Sequence, residues 1–157
     1  MKRLLPLLPS LACACASAPP AQWVEDEVPG PSDRVLAEVS RLAMEAQGFH
    51  VVVRGFDPLE RLASSVWEPD LHPFSGEGFR ERAHVRYEPV APGRILLGVR
   101  VERQINKNIA RPLELDHADW VESADNPVRA RAILQYIRST LAGTLTFTDE
   151  STADSVP

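Results

Sequence analysis

The chain has 157 residues, 44% hydrophobic and 25% charged, with 17 lysines and arginines against 22 acidic residues and a net charge of −5. This is the composition of an ordinary globular protein, and its mild acidity argues against nucleic-acid binding, which favours basic surfaces. The only cysteines, Cys13 and Cys15, lie near the start, so a disulfide framework is excluded for everything that follows.

The chain opens with Met1-Lys2-Arg3, continues through an apolar run from Leu4 to Ala12, and reaches small residues around Cys13 and Cys15. A positive end, an apolar segment and small residues at a cut are the parts of an export leader. The run is too short for a bilayer core of about 30 Å, which needs roughly 20 apolar residues, and Pro6 and Pro9 weaken it further as a helix. No later segment is apolar enough to span a membrane.

The leader therefore covers residues 1–15, and its loss with Lys2 and Arg3 takes the net charge from −5 to −7. Ala12-Cys13 and Ala14-Cys15 place a small residue before a cysteine at the end of an apolar run. Over these fifteen residues the start resembles the lipobox of bacterial lipoproteins, although Ser10 and Ala12 stand where leucine is more usual. The resemblance implies a thiol acylated at Cys13 or Cys15, which anchors the protein to a membrane of the cell envelope facing the periplasm or the exterior. An ordinary secretory cut at the same A-x-A patterns, giving a soluble exported protein, is the alternative, as is an uncleaved cytosolic start.

Residues 16–32 contain Pro19, Pro20, Pro29 and Pro31 with Glu25, Asp26 and Glu27, and read as a tether, with Trp23-Val24 free to dock. From Asp33 to Gln47, Val35, Leu36, Val39, Leu42, Ala43 and Ala46 recur at helical spacing. Ser32 or Asp33 can cap this helix and Gly48 can end it. Phe49 to Val53 then reads as a buried strand. A weak strand follows over Arg61 to Trp67, and residues 68–78, with two prolines and two glycines, read as a loop.

The clearest β signal is a hairpin. Phe79, Ala83, Val85 and Tyr87 alternate with polar residues, and Ile95, Leu97, Val99 and Val101 do the same after Ala91-Pro92-Gly93. A three-residue loop sets Tyr87 opposite Leu97, Val85 opposite Val99 and Ala83 opposite Val101, which places every apolar residue on one face. His84 then faces Arg100, and Arg82 faces Glu102. Pro92 suits the middle of such a loop poorly, so a different loop with a compensating bulge stays open.

Residues 104–126 are polar and irregular, and hold either a short strand near Pro112 to Leu115 or a functional loop. Asn126 and Pro127 open a final helix with Ala130, Ile133, Leu134, Ile137 and Leu141 on one stripe, ended by Gly143. Thr144 to Thr148 alternates weakly, and a disordered tail is expected over 149–157.

The expected architecture is a single α+β domain over 33–148. It is a two-layer fold in which an antiparallel meander of three to four strands is covered on one face by two helices, the other face being open to water.

No Walker or dinucleotide glycine pattern and no nucleophile elbow occurs, so neither a cofactor nor catalytic residues are expected. Asp116-His117-Ala118-Asp119-Trp120 is the one dense group of potential metal ligands, but adjacent loop positions are a weak site, and no metal is expected. Arg80, Arg82, Arg86 and Arg100 form a stripe able to grip phosphate or carboxylate groups; the competing reading is a solvated face with cross-strand ion pairs. The sequence thus points to a non-enzymatic, lipid-anchored envelope module whose partners are other envelope proteins and the membrane. The alternative is an exported protein holding an anionic or lipidic ligand on its arginine-lined face. Small helix-and-sheet lipoproteins that scaffold envelope assemblies are similar in outline.

Overall fold

The computed structural model describes residues 19–52, 56–71 and 78–150, with side chains of the last helix described as far as Gly143. The leader with Cys13 and Cys15, the segment 72–77 and the tail 151–157 lie outside the described residues. So does Val53, the end of the strand expected from Phe49.

Two long strands make the spine: β5 (Phe79–Ala91) and β6 (Arg94–Asn106). They pair antiparallel with Tyr87 on Leu97, Val85 on Val99 and Ala83 on Val101, the register that the apolar alternation requires. The register shifts between Pro89 and Ala91, and Ala91 pairs with Arg94 across Pro92-Gly93. The extra residue is Val90. A two-residue connection replaces the expected three-residue loop, with Gly93 supplying the positive φ of 71°.

Each edge of this hairpin carries two short strands end to end. β3 (Leu62–Ser64) and β4 (Glu68–Asp70) line the outer edge of β5, and β2 (Phe56–Asp57) pairs with β3. β1 (Val24–Pro29) and β7 (Trp120–Ser123) line the free edge of β6. Among the described residues the sheet therefore has seven antiparallel strands, not a meander of three or four.

Four sequence expectations change here, the first being the loop read over 68–78, whose opening residues Glu68–Asp70 form β4 against β5. The segment expected to be a tether contributes β1, because Val24, Asp26 and Val28 turn one way while Glu25 and Glu27 meet arginines on the other face. Phe49–Val52 does not form a strand: the outer edge of β5 is already occupied, and His50 O only accepts one bond from Val66 N. The 104–126 region has no strand at 112–115; β6 runs on to Asn106, and the extra strand is β7.

Helix α1 (Asp33–Ala46) starts as expected after Ser32, whose carbonyl accepts from Leu36 N, although the Ser32 side chain makes no capping bond. It ends in a Schellman motif: Phe49 N donates to Met44 O and Gly48 N to Glu45 O, with Gly48 at φ 79°. Met44 and Phe49 are both buried, giving the motif its apolar contact. Helix α2 (Pro127–Glu150) is capped by Asn126, whose Oδ1 accepts from Arg129 N. It passes through Gly143 instead of ending there, taking Asp149 and Glu150 out of the expected tail.

The two helices pack on each other and on the sheet. Their stripes, Leu36, Val39, Ala43 and Met44 with Ala130, Ile133, Ile137 and Leu141, close on Ala83, Val85, Tyr87, Leu97, Val99 and Val101 in one core. Full burial of one such aliphatic side chain is worth roughly 1.5–3 kcal/mol. A buried carboxylate of β5 shares that side of the sheet. Glu81, 1% exposed, is held by Arg129 Nη1 at 2.5 Å, Arg103 Nε at 3.0 Å and Asn126 Nδ2 at 2.9 Å. Arg129 also donates to Gln47 O and stacks on Phe49, so one side chain joins the sheet, the end of α1 and the start of α2.

Candidate functional site

The sheet face turned away from the core collects the even-numbered residues of β5 and β6, since successive side chains on a strand alternate. It carries the four arginines singled out in the sequence. Each has a partner within its own chain. Arg82 pairs with Glu102 at 2.8 Å, Arg86 with Glu25 at 2.6 Å and Arg100 with Asp125 at 2.7 Å, while Arg80 Nε donates to Gln104 at 2.8 Å.

Aromatic rings complete these contacts. The Arg80 guanidinium lies 4.6 Å from the Trp67 ring and 4.7 Å from Trp120, Arg82 lies 4.6 Å from Trp67, and Arg86 lies 4.2 Å from Trp23. All three tryptophans of the chain are thus stacked on arginines of this one face. The flat guanidinium is attracted to the electron-rich face of the ring while its edge keeps hydrogen bonding. Burial lowers the Arg80 pKa, helped by the neighbouring Arg82 charge; the hydrogen bond to Asp125 raises that of Arg100.

Between the arginines runs a polar relay. Ser64 Oγ lies 2.9 Å from His84 Nδ1, and His84 Nε2 lies 3.2 Å from Glu102 Oε2. Strand pairing assembles it: Ser64 is opposite His84, and Glu102 is two residues along β6 from the residue opposite His84. Burial lowers the His84 pKa, outweighing the hydrogen bond to Glu102, so the imidazole is neutral at pH 7. Burial pushes the Glu102 pKa up, but the hydrogen bonds from Arg82 and His84 prevail and lower it. A carboxylate only accepts, so Nε2 carries the ring hydrogen and Nδ1 accepts from the Ser64 hydroxyl. A serine, a neutral imidazole and an orienting carboxylate are the parts of a nucleophilic relay.

Nothing local in the sequence marks this trio. His84 and Glu102 could have been brought together from the hairpin register, but the Ser64 partnership needed the position of β3. His117 and Asp119 of the Asp116-His117-Asp119 group take part in contacts within the loop. His117 Nδ1 is 3.1 Å from Glu114, and Asp119 N donates to Asn106 Oδ1. Among the described residues no group of three or more potential ligands could hold a metal ion.

No protein-family model and no curated protein matches this chain. Its function must be argued from the residues themselves. Among the described residues, no helix is long and apolar enough to cross a membrane.

The loop between β6 and β7 has an unusual build. Lys107 N donates to Asp119 O at 2.8 Å and closes its base. Asn106, 4% exposed, accepts from Asn108 N and Asp119 N through Oδ1 and donates to Pro112 O. Asn108 accepts from Ala110 N and Arg111 N and donates to His117 O. Two asparagines therefore hold the loop from inside, while Ile109 is 91% exposed and Leu113 and Leu115 are each 50% exposed. A cavity of about 660 Å³, lined by Val28, Leu134, Leu141, Arg131 and Arg138 among others, opens between β1 and α2, on the other side of the sheet from the relay.

Proposed function

We propose that this chain is a non-enzymatic, lipid-anchored module of a cell envelope that works by contact with other envelope proteins. The domain is a two-layer one whose polar sheet face is open to water. The observation that carries the reading is the pairing of Arg80, Arg82, Arg86 and Arg100 within the chain. A phosphate or carboxylate ligand would have to displace Glu102 from Arg82, Glu25 from Arg86 or Asp125 from Arg100, and the first two guanidiniums also lie on tryptophan rings. That weighs against an anionic or lipidic ligand on the arginine face and favours a rigid contact surface.

The leader supplies the address, with Cys13 or Cys15 as the acylated residue. Mass spectrometry of the mature amino terminus tests this reading. A diacyl or triacyl cysteine at 13 or 15 is expected; a free amino end at Cys15, Ala16 or later, or retention of Met1, refutes the anchor.

The relay favours a second reading from a different class, a serine hydrolase. Ser64 Oγ would attack an acyl carbon and pass its proton to His84 Nδ1, with Glu102 holding the imidazole. The proton would then go to the departing alkoxide, and water would release the acyl group by the reverse route. A fluorophosphonate probe decides between the two. Adduct formation on Ser64 that disappears in Ser64→Ala supports the hydrolase, and an unlabelled Ser64 supports the contact module.

A further inference from the structure

The β6–β7 loop inverts the usual arrangement of a solvated loop, in which polar groups face water and aliphatic ones turn inward. Here two carbonyls, Pro112 O and His117 O, and four amides, of Asn108, Ala110, Arg111 and Asp119, are tied to the Asn106 and Asn108 side chains, and three aliphatic side chains are turned out. The shape is set before anything binds, so contact would cost little ordering. Compact loops of this kind, closed at the base and packed by their own side chains, are often functional.

The topology places this loop with respect to the anchor. β5 fills one edge of β6, so β1 and β7 share the other. Along that edge, β1 pairs from Arg94 to Val99 and β7 from Arg103 to Asn106. Because β1 is antiparallel to β6, the chain before Val24 heads toward β7. Gln22 N meets Asp125 Oδ2 at 2.7 Å, just beyond Ser123. The route to the amino terminus therefore leaves the sheet at the seam between β1 and β7, midway along β6, heading toward the end that bears the loop. Only four residues lead from Cys15 to Pro19, about 14 Å at ~3.3–3.6 Å per residue.

We propose that Ile109, Leu113 and Leu115 form a second, loop-borne contact with the lipid surface beside the acyl anchor. The proposal rests on the anchoring read from the leader. The anchor keeps this end of the domain at the bilayer, and the loop transfers its aliphatic side chains from water into the interface. The contact is apolar and not electrostatic. Lys107 and Arg111 are outnumbered by Glu114, Asp116 and Asp119, so anionic headgroups are not attracted. A proteinaceous apolar pocket is the competing occupant.

The body of the chain contains no thiol after Cys15, so a single reporter is allowed once Cys15 is replaced by serine wherever Cys13 carries the anchor. The full chain, matured in a bacterial host with Ile109→Cys, is labelled with an environment-sensitive dye and reconstituted in phosphatidylcholine vesicles. A Leu59→Cys protein serves as control. Leu59 is 94% exposed and precedes Arg61, whose carbonyl accepts from Tyr87 N, toward the opposite end of the sheet. The protein should float with the vesicles, with blue-shifted and enhanced emission at 109 but not at 59, undiminished by high salt. Adding Leu113→Asp and Leu115→Asp should abolish the shift while flotation and circular dichroism stay unchanged.

Flotation without a shift at 109 overturns the loop contact and leaves the anchor standing. A protein that does not float overturns both. A shift in native envelopes that is missing in protein-free vesicles assigns the loop to a protein pocket and also overturns the proposal.

Discussion

Arg129→Met tests the buried junction at Glu81. The methionine keeps an apolar stem near Phe49 but removes the charge lying 2.5 Å from Glu81 Oε2. The carboxylate is 1% exposed and cannot turn to water, so it keeps only Arg103 and Asn126, and Gln47 O loses its donor. Breaking a buried pair from one side costs ~3–5 kcal/mol. The two surviving partners put this case at the lower end, about 3 kcal/mol. Glu81→Met is milder, because the Arg103 and Arg129 side chains are 34% and 32% exposed and can reach solvent. Its cost should be about 1–2 kcal/mol, with no charge left buried. The double variant should be more stable than Arg129→Met alone. Urea denaturation reads all three, and with a slope of about 2 kcal/mol/M the single arginine variant should lose about 1.5 M in midpoint. If Glu81→Met costs as much as Arg129→Met, or the double variant shows the sum of both, the account of Glu81 as a carboxylate dependent on Arg129 is refuted.

The relay makes stability depend on pH. His84 has its pKa lowered by folding, so the unfolded chain binds a proton that the folded chain refuses. Stability from this group is whole above about 6.5, its unfolded value, and is lost as pH falls through the lower folded value. His84→Gln should flatten the denaturation midpoint across that window; an unchanged acid slope would contradict the burial argument. Gly48→Ala tests the end of α1. Its added Cβ meets only Arg129 Nη2 at 3.9 Å, so the expected loss of ~1–2 kcal/mol comes from the left-handed backbone alone. Gly48→Asn should cost less, and thermal unfolding of the two variants measures the difference.

The hairpin was legible in the sequence because alternation over β5 and β6 leaves one register that hides every apolar side chain. The helix ends were legible because Gly48 and Asn126-Pro127 carry their own local chemistry. β1 was not, although Val24 and Val28 alternate with Glu25 and Glu27. Its charge makes sense only beside Arg86 and Arg94, which lie more than sixty residues away. Glu81 occupies an apolar phase of β5, and that mismatch was the one available sign of a buried carboxylate. The Ser64–His84–Glu102 relay depended on the short strand β3, where small residues give little periodic signal. The arginines were found, but their partners were only half visible. Glu102 follows from the register, whereas the tryptophans stacked above them come from three separate segments.

The position of β1 also governs how the molecule bears load. Tension entering through the segment before Val24 acts along the strand axis, so the bonds between β1 and β6 are sheared together instead of unzipped in turn. Asp125, bonded to Gln22 on one side and Arg100 on the other, fastens the point where the force arrives. A domain tugged from this end would resist as one body.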